Sequence, residues 1–362
     1  MPVVDNPGQT CANPPSIVMS TNLRVVLVGC GGMAGAWLGA AKEAGGLDWV
    51  GFVDIREEAA RKRAAESGAT QPVIGTDLAA VLKQTKPDAV FDCTVPEAHV
   101  TVTLTALAQG CHVLGEKPLA DSMEHARQMV AAAKKAGKIY AVIQNRRYVP
   151  QIRRVRKFLG QGTIGALTTV NCDFYLAPHF GGFRDQMRHP LVLDMAIHTF
   201  DAARYLTGAD ATAVYCHEWN PAGSWYAHGA SAVAIFEMTG GVVYTYRGGW
   251  STEGCSTSWE CDWRFHGIRG GAVWDGGDKF RAQAVAKAGG AGFWSELADV
   301  AWPESDEPDK AGGHAGLVKE FIRCVRTGAT PETVSTDNIK SLAMVFAAIE
   351  SAETGRRVEI RL

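Results

Sequence analysis

The chain has 362 residues, 46% of them hydrophobic, and a formal net charge of -2, enough apolar material for two packed domains. Acidic and basic residues are interspersed, which excludes a basic nucleic-acid surface and a polybasic membrane patch, and no apolar run is long enough to span a bilayer. The nine cysteines include no C-x-x-C pair, which fits reduced thiols in a cytoplasm.

Residues 1–21 are rich in Pro and Asn, lack periodicity and carry neither the basic start nor the apolar core of a secretory signal. They read as a disordered extension, or as sequence upstream of a start at Met19. From there strands and helices alternate. Arg24–Gly29 is expected as a strand, Met33–Ala44 as a helix, Trp49–Asp54 as a strand, and Arg56–Ser67 and Asp77–Gln84 as helices. Asp88–Thr94 is a strand, Ala98–Gln109 a helix, His112–Leu114 a strand, Ser122–Ala136 a helix and Ile139–Ile143 a strand. This alternation predicts a doubly wound parallel α/β domain over residues 22–144.

The join between the first strand and helix is the most informative stretch. Gly29-x-Gly31-x-x-Ala34 follows an apolar run and opens a helix, and Asp54 ends the next strand about twenty residues later, which together make a dinucleotide-binding fingerprint. Gly29 permits the tight turn, Gly31 leaves room for a pyrophosphate, and Ala34 keeps helix and strand close. The helix start at Gly32 and Met33 offers free N–H groups to the phosphates. Asp54 is suited to the adenosine ribose hydroxyls and repels a 2′-phosphate, which favours NAD over NADP; Arg56, beside Ile55, can pair with such a phosphate and points the other way. Asp54 can equally cap a helix starting near Glu57.

After Gln144 the pattern changes. Gln151–Leu159 and Leu191–Leu206 are expected as helices, and Leu167–Tyr175, Ala211–His217, Ser231–Glu237, Val242–Tyr246, Ser258–His266 and Ala272–Trp274 as strands. Pro303–Gly313 reads as a loop, and His314–Thr327 and Thr336–Ala352 as helices that can return to the first domain. Residues 145–362 therefore form a second, α+β domain with an open, mostly antiparallel sheet. Eight of the ten tryptophans lie in this half, as core, as an oligomer interface or as a surface for stacking sugars.

Three features coincide: the glycine loop, Gly115-Glu116-Lys117-Pro118-Leu119, and Asp194-Met195-Ala196-Ile197-His198. In this combination the chain resembles the Gfo/Idh/MocA oxidoreductase family over roughly residues 23 to 360. The resemblance implies a Rossmann domain joined to a substrate domain, and a sugar, polyol or related derivative as substrate. It implies Lys117, Asp194 and His198 as the catalytic set. It also places Thr94, Val95, Pro96 and His99 under the nicotinamide ribose, Glu116 and Lys117 beside the nicotinamide, and Asn145 and Arg147 at the cleft. A homodimer or homotetramer is expected on the same ground.

These residues suit alcohol oxidation. His198 can take the hydroxyl proton, Lys117 can stabilise the developing oxyanion, and Asp194, four residues before His198, shares its helix face and can orient it or bind a neighbouring hydroxyl. Tyr175, His179 and Arg184 precede that helix and can line the cleft. An Asp and a His alone are too few for a metal site, so none is expected. Two other functions fit the same pattern: a glycosidase that uses transient oxidation by bound NAD, and a nucleotide sensor, although a sensor needs no proton-transfer set.

Overall fold

A computed structural model describes residues 22–287, 293–305 and 307–362. The expected extension over residues 1–21 lies outside the described residues. The first half runs β1 (Leu23–Val28), α1 (Gly32–Ala44), β2 (Leu47–Val53), α2 (Glu57–Ser67), β3 (Val73–Gly75), α3 (Leu78–Thr85), β4 (Ala89–Asp92), α4 (Pro96–Ala108), β5 (His112–Gly115), α5 (Met123–Ala136) and β6 (Tyr140–Val142). The six strands are parallel in the order β3-β2-β1-β4-β5-β6, the doubly wound arrangement that binds dinucleotides where the order reverses. Val25, Val26 and Leu27 of β1 are fully buried, as a central parallel strand covered on both faces requires.

The second half runs α6 (Pro150–Gly160), β7 (Leu167–Tyr175), α7 (Ile197–Thr207), β8 (Ala211–Trp219), β9 (Ser231–Met238), β10 (Val243–Gly249), β11 (Asp262–Gly267), β12 (Gly270–Trp274), β13 (Phe280–Lys287), β14 (Glu296–Val300), α8 (His314–Thr327), α9 (Ser335–Thr354) and β15 (Val358–Glu359). Its nine-stranded sheet has the order β14-β13-β12-β11-β7-β10-β9-β8-β15 and is antiparallel except where β10 meets β7. Alternation along β7 buries Val170, Cys172 and Phe174 and turns Asn171, Asp173 and Tyr175 to the outer face. That face carries a cavity of about 840 Å³ lined by Asp173, Arg247, Trp263 and Trp274, among others.

The two halves share packing. Helix α8 belongs to the first: Leu317, Val318 and Phe321 join the core of β1 and α1, and Phe321 meets Phe91 edge to face at 5.8 Å. At the junction, residues Asn145–Tyr148 form a short 3-10 turn. Arg147 there is buried, and its guanidinium donates to Asp201 Oδ1 and Oδ2 on α7 at 2.6 and 2.8 Å and to Asp337 Oδ2 on α9 at 2.8 Å. Arg204 joins Asp337 to Asp210, and Arg153 joins Glu307 to Glu332.

Two sequence expectations change here. Arg147 does not line the cleft. A 3-10 turn advances about 120° per residue, so adjacent Arg146 and Arg147 point apart: both are buried, Arg147 toward Asp201 and Asp337 and Arg146 toward Thr199 and Cys261. The helix expected over Leu191–Leu206 is not uniform either: Pro190–Ala196 is π-helical and only then does α7 begin. Removing one partner of a buried ion pair strands the other charge. Arg147→Ala is therefore expected to cost about 3–5 kcal/mol, read as a lower thermal midpoint. An unchanged midpoint with a raised substrate KM would put Arg147 back in the cleft.

Candidate active site

The nucleotide crevice is made mostly of backbone. Gly29 has φ +83°, and a Cβ there would lie 2.6 Å from the carbonyl carbon and oxygen of Cys93 and 2.7 Å from Thr94 N, so the loops after β1 and β4 touch only because residue 29 is glycine. A Cβ on Gly31 or Gly32 would meet nothing within 4 Å. The helix start at Gly31 has no side-chain cap, which leaves the N–H groups of α1 open to an anion. Ala34 is fully buried against the strand. Asp54 closes the loop by accepting from Cys30 N at 2.7 Å and Arg56 N at 2.9 Å, and its carboxylate keeps lone pairs for ribose hydroxyls. It does not cap α2, whose N-cap residue is Arg56. Met33, Ile55 and Val95 stand around this crevice as exposed apolar side chains, Ile55 at 91% and Val95 at 61%. Open backbone donors, a ribose-facing carboxylate and uncovered apolar walls fit NAD. Arg63, which the motif did not indicate, reaches back from α2 to donate to Gly31 O at 2.7 Å and borders the same loop.

Beneath it, Asp92 at the end of β4 accepts from Thr94 N at 3.1 Å and Thr94 Oγ1 at 2.5 Å, and pairs with His99 Nδ1 at 2.9 Å. His99 and Asp92 are fully buried. Burial lowers the His99 pKa, but the Asp92 charge and hydrogen bond outweigh it and leave it raised. His99 therefore anchors the Thr94–Pro96 loop from below, where the resemblance had it beside the cofactor.

The reactive cluster lies where β5 ends. Glu116 is buried between Trp37 Nε1, 2.9 Å from Oε1, and its neighbour Lys117 N, 2.9 Å from Oε2. Lys117 Nζ crosses to the second half and donates to Asp194 Oδ1 at 2.9 Å and Asp194 O at 3.0 Å. Arg184 Nε donates to Asp194 Oδ2 at 2.7 Å. Burial would raise the Asp194 carboxyl; Lys117 and Arg184 more than offset it and hold it below the usual range. Both oxygens are thus engaged by cations. His198 is pushed well below 6.5 by burial first and then by the charges of Lys117 and Arg146, and its Nδ1 has no partner among the described residues. Asp194 makes no hydrogen bond to it: its two carboxylate oxygens are taken by Lys117 and Arg184.

Asn145 opens the 3-10 turn, half-buried, and Arg146 extends from it beside Cys261, Thr199 and the Phe174 ring. Sequence reasoning chose Arg147 of this pair and missed Arg146. It also missed His314 at the start of α8, whose pKa is lowered by burial while Glu116 raises and Lys117 lowers it. Only the long return of α8 brings His314 near, and no local motif signals that. Tyr175 is a further correction. Strand alternation sends its ring to the outer face with Asp173 and Arg247, whose charges act on it, and not to the cleft.

The fold and crevice define an NAD-binding oxidoreductase. The profile described as "Oxidoreductase family, NAD-binding Rossmann fold" matches residues 23–144, and that of the GFO/IDH/MocA C-terminal domain matches residues 152–273. The chain belongs to the GFO/IDH/MocA family. It is 27% identical over 343 residues to 1,5-anhydro-D-fructose reductase of Ensifer adhaerens, covering 92% of this chain and 97% of that one. It is likewise 27% identical over 343 residues to D-apiose dehydrogenase of Paraburkholderia graminis, covering 92% and 89%. The crystal structure of an oxidoreductase from Agrobacterium radiobacter in complex with NAD+, L-tartaric acid and magnesium superposes with a TM-score of 0.81 at 21% identity, covering 94% and 99%.

The two loop glycines are expected to separate folding from binding. Gly29→Ala should destabilise the chain, because strain and a backbone clash coincide. Gly31→Ala should fold with an unchanged thermal midpoint yet bind NAD at least about tenfold more weakly, a loss of about 1.4 kcal/mol, measured by calorimetry. Undiminished affinity in Gly31→Ala would remove the pyrophosphate from that position.

Proposed function

We propose that this chain is an NAD-dependent dehydrogenase that moves a hydride between the nicotinamide and a secondary alcohol or ketone of a sugar, polyol or sugar derivative. The observation that carries this is Lys117, at the C-terminal edge of the nucleotide-binding sheet, held on Asp194 close to a neutral, half-buried His198. Oxidation of an alcohol needs a base for the O–H proton, and a neutral imidazole with one unpartnered nitrogen supports His198 in that role. The Lys117 ammonium stabilises negative charge on the substrate oxygen as the proton leaves. Asp194 fixes that ammonium and offers its remaining lone pairs to a neighbouring hydroxyl. When bound, the nicotinamide supplies the hydride acceptor. In the reverse direction the same imidazole returns the proton to the ketone oxygen.

The setting is consistent with a polyhydroxylated substrate. Lys117 and Arg184 are paired with Asp194, and Arg146 lies 3.4 Å from Glu260. The relatives named for 1,5-anhydro-D-fructose and D-apiose support the same class. The outer face of the second sheet exposes Tyr215, Ile235 and Val243, with Tyr215 and Ile235 paired across strands, and this supports a homodimer or homotetramer built on that face. The eight described cysteines are free, in keeping with a reducing cytoplasm.

The test is the absorbance of reduced nicotinamide with NAD and a panel of sugars and polyols. Lys117→Ala is expected to abolish the signal while NAD still binds. His198→Gln should lower kcat by at least about 100-fold. A base whose folded pKa is depressed stays neutral well below pH 6.5, so the acid limb of kcat/KM for oxidation should fall clearly below that value. A limb at or above 6.5 that is absent from His198→Gln would show a charged, ordinary histidine and sink the assignment of its electrostatics.

A further inference from the structure

Resting on that reading for the first sugar position, we propose that the cleft continues into a second subsite for a ring attached to the sugar, so that the favoured substrate is a glycoside. From Asp194 the strip runs outward through Arg184. The Arg184 guanidinium lies 5.2 Å from the Phe180 ring centre and 4.8 Å from that of Phe183. Phe180 then meets Trp250 at 5.9 Å, and Trp250 meets Trp259 edge to face at 5.8 Å. Phe180, Phe183 and Trp259 are 53%, 69% and 47% exposed. Three large rings left in water, contiguous with a catalytic carboxylate, are the kind of patch that marks a binding surface.

The chemistry of the strip selects the ligand. Phenylalanine rings offer no hydrogen bond, so they recognise the apolar face of a pyranose or aryl ring. Arg184 is anchored to the first site by its Nε on Asp194, and its planar face orders both phenylalanines. His179, at the edge, is likewise engaged, stacked on Trp225 at 3.8 Å and 3.0 Å from Glu253. Trp250, fully buried, backs the exposed rings of Phe180 and Trp259 from beneath. Because Arg184 touches Asp194 and both rings, the second subsite is held in register with the site of oxidation.

The experiment compares kcat/KM for D-glucose, D-galactose, D-mannose and D-xylose with that for the phenyl glycosides of each, both anomers, with NAD. Binding of the same compounds is followed in parallel by intrinsic tryptophan fluorescence. For at least one sugar the phenyl glycoside should exceed the free sugar by about tenfold, the scale of one good aromatic contact. That ratio should collapse in Phe183→Ala and in Trp259→Ala, whose side chains are exposed and whose folding is checked by thermal midpoint. Turnover of free sugars with no gain for any phenyl glycoside overturns the subsite and leaves the dehydrogenase standing, as does a gain that survives both substitutions. Phenyl-glycoside binding that depends on Phe183, without any reduction of NAD, supports the subsite and overturns the dehydrogenase. Neither binding nor turnover of any phenyl glycoside overturns the subsite.

Discussion

The buried guanidinium of Arg147 sets how the two sheets meet. It sits in the turn that leaves β6, the last strand of the parallel sheet, and its partners Asp201 and Asp337 lie on α7 and α9 of the second half. Asp201 is three residues past His198 on the same helix, and Lys117 follows β5, the neighbour of β6. The network therefore fixes the helix that carries His198 relative to the strand ends that carry Lys117. Such a pair adds little net stability compared with an apolar substitute, because desolvating both charges is costly. What it does is penalise every other arrangement, since a shift of α7 would leave a guanidinium or a carboxylate buried alone.

The same logic of internal pairing governs the cleft. Asp194 is held between Lys117 and Arg184, so the ammonium stays in place before any substrate arrives and need not reorganise as charge develops on oxygen. His198 stands beside this pair without hydrogen bonding to Asp194. Its neutrality comes from burial and from nearby positive charge, not from a carboxylate partner. An Asp–His hydrogen bond would have pushed the imidazole toward its charged form, as Asp92 does to buried His99. The two histidines show how one side chain serves opposite ends: His99, shifted toward its charged form, locks a loop, and His198, shifted toward its neutral form, remains free to accept a proton.

The first half was legible because its elements have strong signals. Alternating apolar strands and amphipathic helices gave five of the six parallel strands, and the glycine pattern gave the crevice. Val73–Gly75 escaped because three half-buried residues carry no period. Strands β13, β14 and β15 lie at or near the sheet edges, where the exposed residues of Glu296–Val300 and the two-residue β15 show no apolar alternation. The site errors have equally local causes. Arg147 and Arg146 are neighbours whose divergence is set by the 3-10 turn, Tyr175 is one residue away from the inward phase of β7, and the π turn at Pro190–Ala196 cannot be distinguished from an α-helix by spacing of apolar residues. His314 reaches the cleft through a chain path that no window of sequence contains.

This difference in legibility follows from what each half of the site is made of. The nucleotide side is built from backbone: a turn at Gly29 packed on Cys93 and Thr94, open N–H groups of α1, and a loop closed by Asp54. Few sequences satisfy that geometry, so it leaves a short, readable motif. The substrate side is built from side chains of β5, the loop before the π turn, α7 and the strand-end loops around Trp250 and Trp259. Any of these can change without disturbing the backbone beneath. A chain at 27% identity can therefore keep the cofactor crevice while altering which ring faces and hydroxyls it meets, which is why likeness in fold carries the redox chemistry further than it carries the substrate.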